Sequence, residues 1–294
     1  MLLLEGHSSP VTALAFSPDG QRLASGTKSG MVGIWNGTEI PEELPTDPEL
    51  TTSINAIEFH PEGLAFVVGG GMGWLGRRER ADGTFAIFNP AGKPTSVTAL
   101  RFLTPELLVV GAGDRVKPDS GMLMLWDMTT QRYREPQFRA GQGVRAISVL
   151  PTKRLVAWAE WGRKIAVWDI TKPEPIRFNL PHNATSLSLH PDGEWLAVAV
   201  EWGGKLFHLP SRQERVQLIG HKGAVTSIAF SPDGHVLATG SWDGTVRFWD
   251  ANTGTERACY VWPIGKVISL AFSPDSLRLA VGGDTGTIML FDVD

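Results

Sequence analysis

Residues 220–250 read GHKGAVTSIAFSPDGHVLATGSWDGTVRFWD, and the hydrophobic period switches on three times within them. VTSIAF alternates small and apolar positions, HVLATGS alternates again, and TVRFWD carries Val246, Phe248 and Trp249. A period of two is the signature of strands with a buried face. Ser231-Pro232-Asp233-Gly234 joins the first two strands, with proline preset for a turn and glycine free of Cβ strain. Asp243-Gly244 joins the second pair as a tight hairpin. So small a sheet cannot hide its own apolar faces, so copies of it are expected along the chain.

Working outward, the position of Phe230 recurs as Phe16, Phe59, Phe102, Val149, Leu189 and Phe272, at intervals of 40 to 47 residues. Turns follow in register: Ser17-Pro18-Asp19-Gly20, His60-Pro61-Glu62-Gly63, His190-Pro191-Asp192-Gly193 and Ser273-Pro274-Asp275-Ser276. By the same spacing the third strand is predicted to end at Trp35, Phe88, Trp126, Trp168, Leu209, Trp249 and Phe291.

The repeat resembles the WD-repeat family of β-propellers over the whole chain. The residues that carry the resemblance are Trp126-Asp127, Trp168-Asp169 and Trp249-Asp250, with degenerate copies Trp35-Asn36, Phe88-Asn89 and Phe291-Asp292, and the Gly-His pairs Gly6-His7 and Gly220-His221. Five repeats lack Gly-His. The resemblance implies an all-β, seven-bladed propeller with four antiparallel strands per blade. The blades are expected at about 8–52, 53–96, 97–141, 142–182, 183–222, 223–264, and 265–294 joined by 1–7. Residues 2–5 are expected to be the fourth strand of the last blade, which closes the ring and removes two exposed edges.

Composition agrees with a single β domain. The 294 residues are 42% hydrophobic and include 33 Gly and 20 Pro, as a chain that turns often requires. A single cysteine, Cys259, excludes an internal disulfide framework and fits a reducing compartment. No apolar run approaches membrane-spanning length, and the first residues lack the basic start of a signal peptide. A net charge of −4 argues against sequence-independent nucleic-acid binding. The expectation is a cytoplasmic domain with no membrane or nucleic-acid partner, monomeric until bound in a complex.

Several positions are candidates for partner contact. Counting back seven residues from the third-strand termini gives Trp161, Trp202 and Trp242, in AEWGRK, VEWGGK and GSWDGT. Lys28 and Asp284 follow by the same count. In the family this hairpin tip lies on the rim of the top face, which implies contact with partners; a wedge between blades is the alternative. Glu160 and Glu201 precede two of the tryptophans, so a cationic group could meet a π face and a carboxylate together. Blades two and three are expected to lengthen this hairpin as GGGMGWLGRRERADG, with Trp74, Arg77, Arg78 and Arg80, and GAGDRVKPDSG, with Arg115 and Lys117. These are contact arms or solvated excursions. By register, the second residues of the inner strands are Thr12, Asn55, Thr98, Arg145, Ser186, Thr226 and Ile268. Arg145 is the charged one, suited to a carboxylate or phosphate, or to pairing with Glu160.

Catalysis is not asked for. The resemblance implies a structural network of His221, Thr239, Asp243 and Trp249 in blade six, where a hydroxyl, an imidazole and a carboxylate satisfy buried polar groups rather than activate a nucleophile. No metal-ligand spacing, phosphate-binding loop or paired inward carboxylates stand out. The chain is therefore expected to have no catalytic residues, no metal and no cofactor, and to bind a protein or peptide through its top face as a scaffold. The alternatives are a ligand-sensing domain that controls a separate effector, or an enzyme acting at the channel mouth around Arg145 and Asn55.

Overall fold

The computed structural model describes all residues except 37–41, 45–51, 64, 72–74, 80–84, 89–94, 115, 116, 118 and 294, and only the backbone at 42–44, 77–79 and 85–88. Seven sheets of four antiparallel strands follow one another; six are meanders whose strands pair in sequence order, and the last takes its outer strand from the start of the chain. In blade six these are Val225–Phe230, Val236–Ser241, Thr245–Asp250 and Glu256–Val261, from the inside outward. The second strand is buried along almost its whole length, while the outermost strand is mostly exposed. The cause is position: a second strand is covered by a blade on each face, so both its faces must be apolar or small. Each apolar cluster accordingly spans two blades. One joins Leu123 and Phe138 of blade three to Trp158 and Trp168 of blade four.

Closure comes from Leu2–Leu4, which pairs Leu2 with Leu290 and Leu4 with Ile288, and so completes the sheet of the last blade. Leu4, Val11, Trp35 and Ile288 then share one core across the joint. A second ring lies nearer the axis. Thr12, Asn55, Thr98, Arg145, Thr185, Thr226 and Ser269 each donate to the first carbonyl of the next inner strand, at Ile54, Val97, Val144, Ala184, Val225, Val267 and Val11. Seven side chains thus tie seven blades in a closed circle. Blade seven moves its donor one residue along because Ile268 has none to give.

Register corrects three expectations. In blade two Gly69 pairs with Leu75, so the third strand is Leu75–Glu79 and the fourth is Phe85–Phe88. Arg77 and Arg78 are therefore strand positions rather than parts of a long arm. Leu75 is fully buried and starts the strand, and Arg78, not Phe88, stands opposite Phe66 where other blades place an aromatic residue. In blade five Phe207, not Leu209, faces Leu196, and Val200 pairs with Gly203 around a two-residue turn, Glu201-Trp202. The hairpin is one residue shorter than its neighbours, so Glu201, not Trp202, is the counterpart of Trp161 and Trp242. Finally, Ala184 opposite Val200 makes Thr185, not Ser186, the counterpart of Arg145.

Candidate functional site

The tips of the second hairpins stand on one face of the ring. At Lys28, Trp161, Trp242 and Asp284 the backbone N–H donates to a carbonyl just ahead of the same blade's inner strand, at Pro10, Gly143, Ala224 and Lys266. This repeated bond seats each tip against the axis-facing loop. Lys28 is exposed, whereas Asp284 is half-buried and its Oδ1 accepts the Lys266 N–H at 2.8 Å. Trp74, Arg80 and Arg115 lie outside the described residues, as do the side chains of Arg77 and Arg78; Lys117 is exposed.

Blades five and six carry the apolar part of this face. Trp202 is 64% exposed, Trp242 53%, Ile219 77% and Val261 75%. Ile219 and Val261 are the last residues of their outer strands, paired with Gly203 and Thr245 at the tip end. The two tips are neighbours: Glu201 O accepts the Val225 N–H, and the Trp242 N–H donates to Ala224. Trp202, Ile219, Glu201 and His182 line a depression of about 310 Å³, with His182 Nδ1 3.8 Å from the Glu201 carboxylate. Lys266 Nζ lies 5.5 Å from the centre of the Trp242 ring, and Lys222 is exposed beside it. Four large apolar side chains edged by charges thus face solvent.

Trp161 behaves otherwise. It is half-buried, and the Arg145 guanidinium lies 4.4 Å from its ring centre. Arg145 also donates to Ala184 O at 3.2 Å. Glu160 pairs elsewhere. That residue, expected on the partner-facing rim, is 3% exposed and turned into the blade. There Glu160 accepts Arg177 at 2.6 Å and the Trp158 indole N–H at 3.3 Å. Strand alternation explains the correction: Glu160 is the last residue of Leu155–Glu160 and points to the covered face. Arg177, which makes that burial tolerable, stands 17 residues away on the outer strand Ile176–Asn179, and no local signal announces the pair.

In blade six His221 Nε2 meets Thr239 Oγ1 at 2.8 Å, and the Trp249 indole N–H donates to the same oxygen at 2.8 Å. His221 Nδ1 lies 3.1 Å from Asp243 Oδ2, which also accepts the Lys222 N–H at 2.7 Å. Burial alone would raise the Asp243 carboxyl, but the Thr245 hydroxyl and the N–H groups of Lys222 and Thr245 outweigh it and hold it well below the usual carboxylate range. Burial lowers the His221 imidazole, and Asp243 offsets that only in part. Thr239 has no exposed surface, so this chain of groups ends in the core and meets no substrate space. Blade one keeps a shorter form, with His7 Nε2 2.7 Å from Ser25 Oγ and the Trp35 indole donating to that oxygen at 2.8 Å.

The description "WD domain, G-beta repeat" matches residues 1–36, 212–250 and 263–292, which hold the three inner strands of blades one, six and seven, the closing strand Leu2–Leu4 and the outer strand of blade five. The chain carries WD repeats. The whole is a seven-bladed propeller, similar to the serine-threonine kinase receptor-associated protein of Rattus norvegicus at 24% identity, over 85% of this chain and 69% of the relative. It is also 26% identical to telomerase protein component 1 of Rattus norvegicus, over 86% of this chain but 8% of that protein. The periodic tryptophan protein 2 homolog of Dictyostelium discoideum is 24% identical over 82% of the chain and 28% of its own length. The matches to the two longer proteins thus span one propeller's length within larger chains.

Proposed function

We propose that this WD-repeat propeller is a non-catalytic platform that binds another protein or a peptide through its top face, with the rim of blades five and six as the main contact. The observation that carries this reading is the exposure of Trp202, Ile219, Trp242 and Val261 at the tip ends of the adjacent blades five and six of a closed ring. Tryptophan removes a large area from water while losing little rotamer entropy, and is enriched where binding energy concentrates. Lys222, Lys266 and Glu201 supply a charged edge of both signs, as the polar border of an interface does. A ring tied at every joint pays little reorganisation on docking. The relatives whose names mention a receptor-associated protein or a component of an assembly support the same reading. Trp161 belongs to the channel mouth rather than to this contact.

The test compares wild type with the Trp202→Ala/Trp242→Ala double variant by affinity capture and quantitative mass spectrometry. Partners of the wild type should fall by about tenfold or more in the variant, with its melting temperature unchanged. Undiminished capture by the double variant would remove the rim from the reading.

A further inference from the structure

The inner strands enclose a channel of about 280 Å³ whose wall differs from side to side. The difference lies in where hydroxyl protons go. On blades one, six and seven, Thr12, Thr226 and Ser269 donate to carbonyls of neighbouring inner strands. Each has one proton, so toward the channel they offer lone pairs. Blades four and five share that ring through Arg145 and Thr185, and carry in addition three serines of the opposite sense. Ser148 Oγ accepts the Leu189 N–H at 2.9 Å, Ser186 Oγ accepts Ile228 N–H at 3.4 Å, and Ser188 Oγ accepts Phe230 N–H at 3.1 Å. These three hydroxyls keep their protons, and among the described residues no protein group accepts them.

Arg145 lines the upper end of the same wall, and Arg101 lines the channel from blade three. No Asp or Glu lines it. Glu58, on the adjacent inner strand, is paired to Arg101 at 3.1 Å, and Asp114 lines the outer mouth with Arg145 and Trp161. The mouth is rigid. A Cβ on Gly113 would lie 2.3 Å from Gly143 Cα, and one on Gly121 would lie 2.4 Å from Gly143 N. Backbone packs on backbone there, which fixes the segment leading into Arg145 and lets Trp161 lie against Gly143.

We propose that the blade-four and blade-five wall of this channel binds a tetrahedral oxyanion, phosphate above others, either free or carried on a partner's side chain. A guanidinium and three hydroxyl protons line one side of the channel, and together they are the donor set an oxyanion needs. Across the channel Thr12 and Ser269, whose protons are already donated, offer lone pairs for the proton that hydrogenphosphate still carries and sulfate lacks. The site is distinct from the tryptophan rim, so either can fail without the other.

The experiment is thermal unfolding and calorimetry of the full chain with inorganic phosphate, sulfate and chloride at one ionic strength, and separately with a phosphoserine peptide and its unphosphorylated form. Millimolar phosphate is expected to raise the melting temperature by roughly 2–4 °C, sulfate by less and chloride not at all. Arg145→Gln should weaken phosphate binding at least about tenfold, Arg145→Lys less, since charge without the planar fork is retained. Circular dichroism without ligand checks that each variant folds, and Ser148→Ala/Ser188→Ala probes the wall if Arg145→Gln does not. A shift by the phosphopeptide where free phosphate has none also supports the site and assigns the anion to a partner. Equal effects of phosphate and chloride, or a phosphate effect that survives both the arginine and the serine variants, overturn the proposal.

Discussion

Blades four and six meet the same structural need with different chemistry. Thr239 stands opposite Ile228 in blade six, and Trp158 stands opposite Ile147 at the same place in blade four. The blade-six hydroxyl accepts from the Trp249 indole and is held by His221. In blade four an indole occupies the site itself, and its N–H needs an acceptor. Glu160 supplies one and is compensated by Arg177, while the Trp168 N–H turns to Lys172 O at 2.8 Å. What the position demands is a satisfied buried indole, and the familiar set of residues is one solution among several.

The largest effect should come from Glu160→Ala, which strands the Trp158 N–H and removes the partner of Arg177. A loss of about 3 kcal/mol is expected in urea unfolding, at the low end for a broken buried pair because Arg177 is partly solvated. A loss under about 1 kcal/mol would mean that blade four does not depend on this acid.

Asp243→Ala removes the acceptor of His221 and of the Lys222 N–H and should cost about 1–3 kcal/mol. An unchanged melting curve would show that blade six holds without its network. The two blades then rank by how completely the lost acceptor was buried.

Acidification sharpens the comparison further. The folded imidazole of His221 is lowered below its ordinary 6.5, so the unfolded chain takes up its proton first and stability falls as pH drops below that value. Asp243 acts in the same sense at lower pH: its lowered carboxyl contributes stability above about 3.8, lost as pH falls toward the folded value. Melting temperatures measured from pH 7 to 5 should decline in wild type and decline less in His221→Gln. Parallel slopes would place the titration elsewhere.

The smallest expected stability change is at the rim. Trp202→Ala and Trp242→Ala should each shift unfolding by no more than about 0.5 kcal/mol, since both indoles face water. A loss several times larger would make them part of the packing between blades rather than a contact surface.

Much of the ring was legible in residue patterns. Phe16, Phe230 and Phe272 with their Ser-Pro-Asp turns mark blades one, six and seven, and these are also the segments the repeat description matches. Legibility failed where a motif residue was displaced. Phe88 looked like a third-strand terminus because an aromatic followed by Asn mimics the motif, yet pairing gives that place to Arg78. In blade five one missing turn residue moved Trp202 past its counterparts, and nothing in VEWGGK announces the deletion.

Period, turn chemistry and repeat interval are local properties of the chain, and they sufficed for seven sheets in a ring closed by Leu2–Leu4. Which carboxylate faces water and which is buried is not local. Glu160 and Glu201 sit beside tryptophans in near-identical words, yet one is sealed against Arg177 and the other is exposed. The same holds for the channel, where a serine offers its proton or its lone pairs according to what the neighbouring blade presents, 41 residues away for Ser148 and 258 for Ser269. Those outcomes are set by contacts between distant segments, and only the assembled ring brings the segments together.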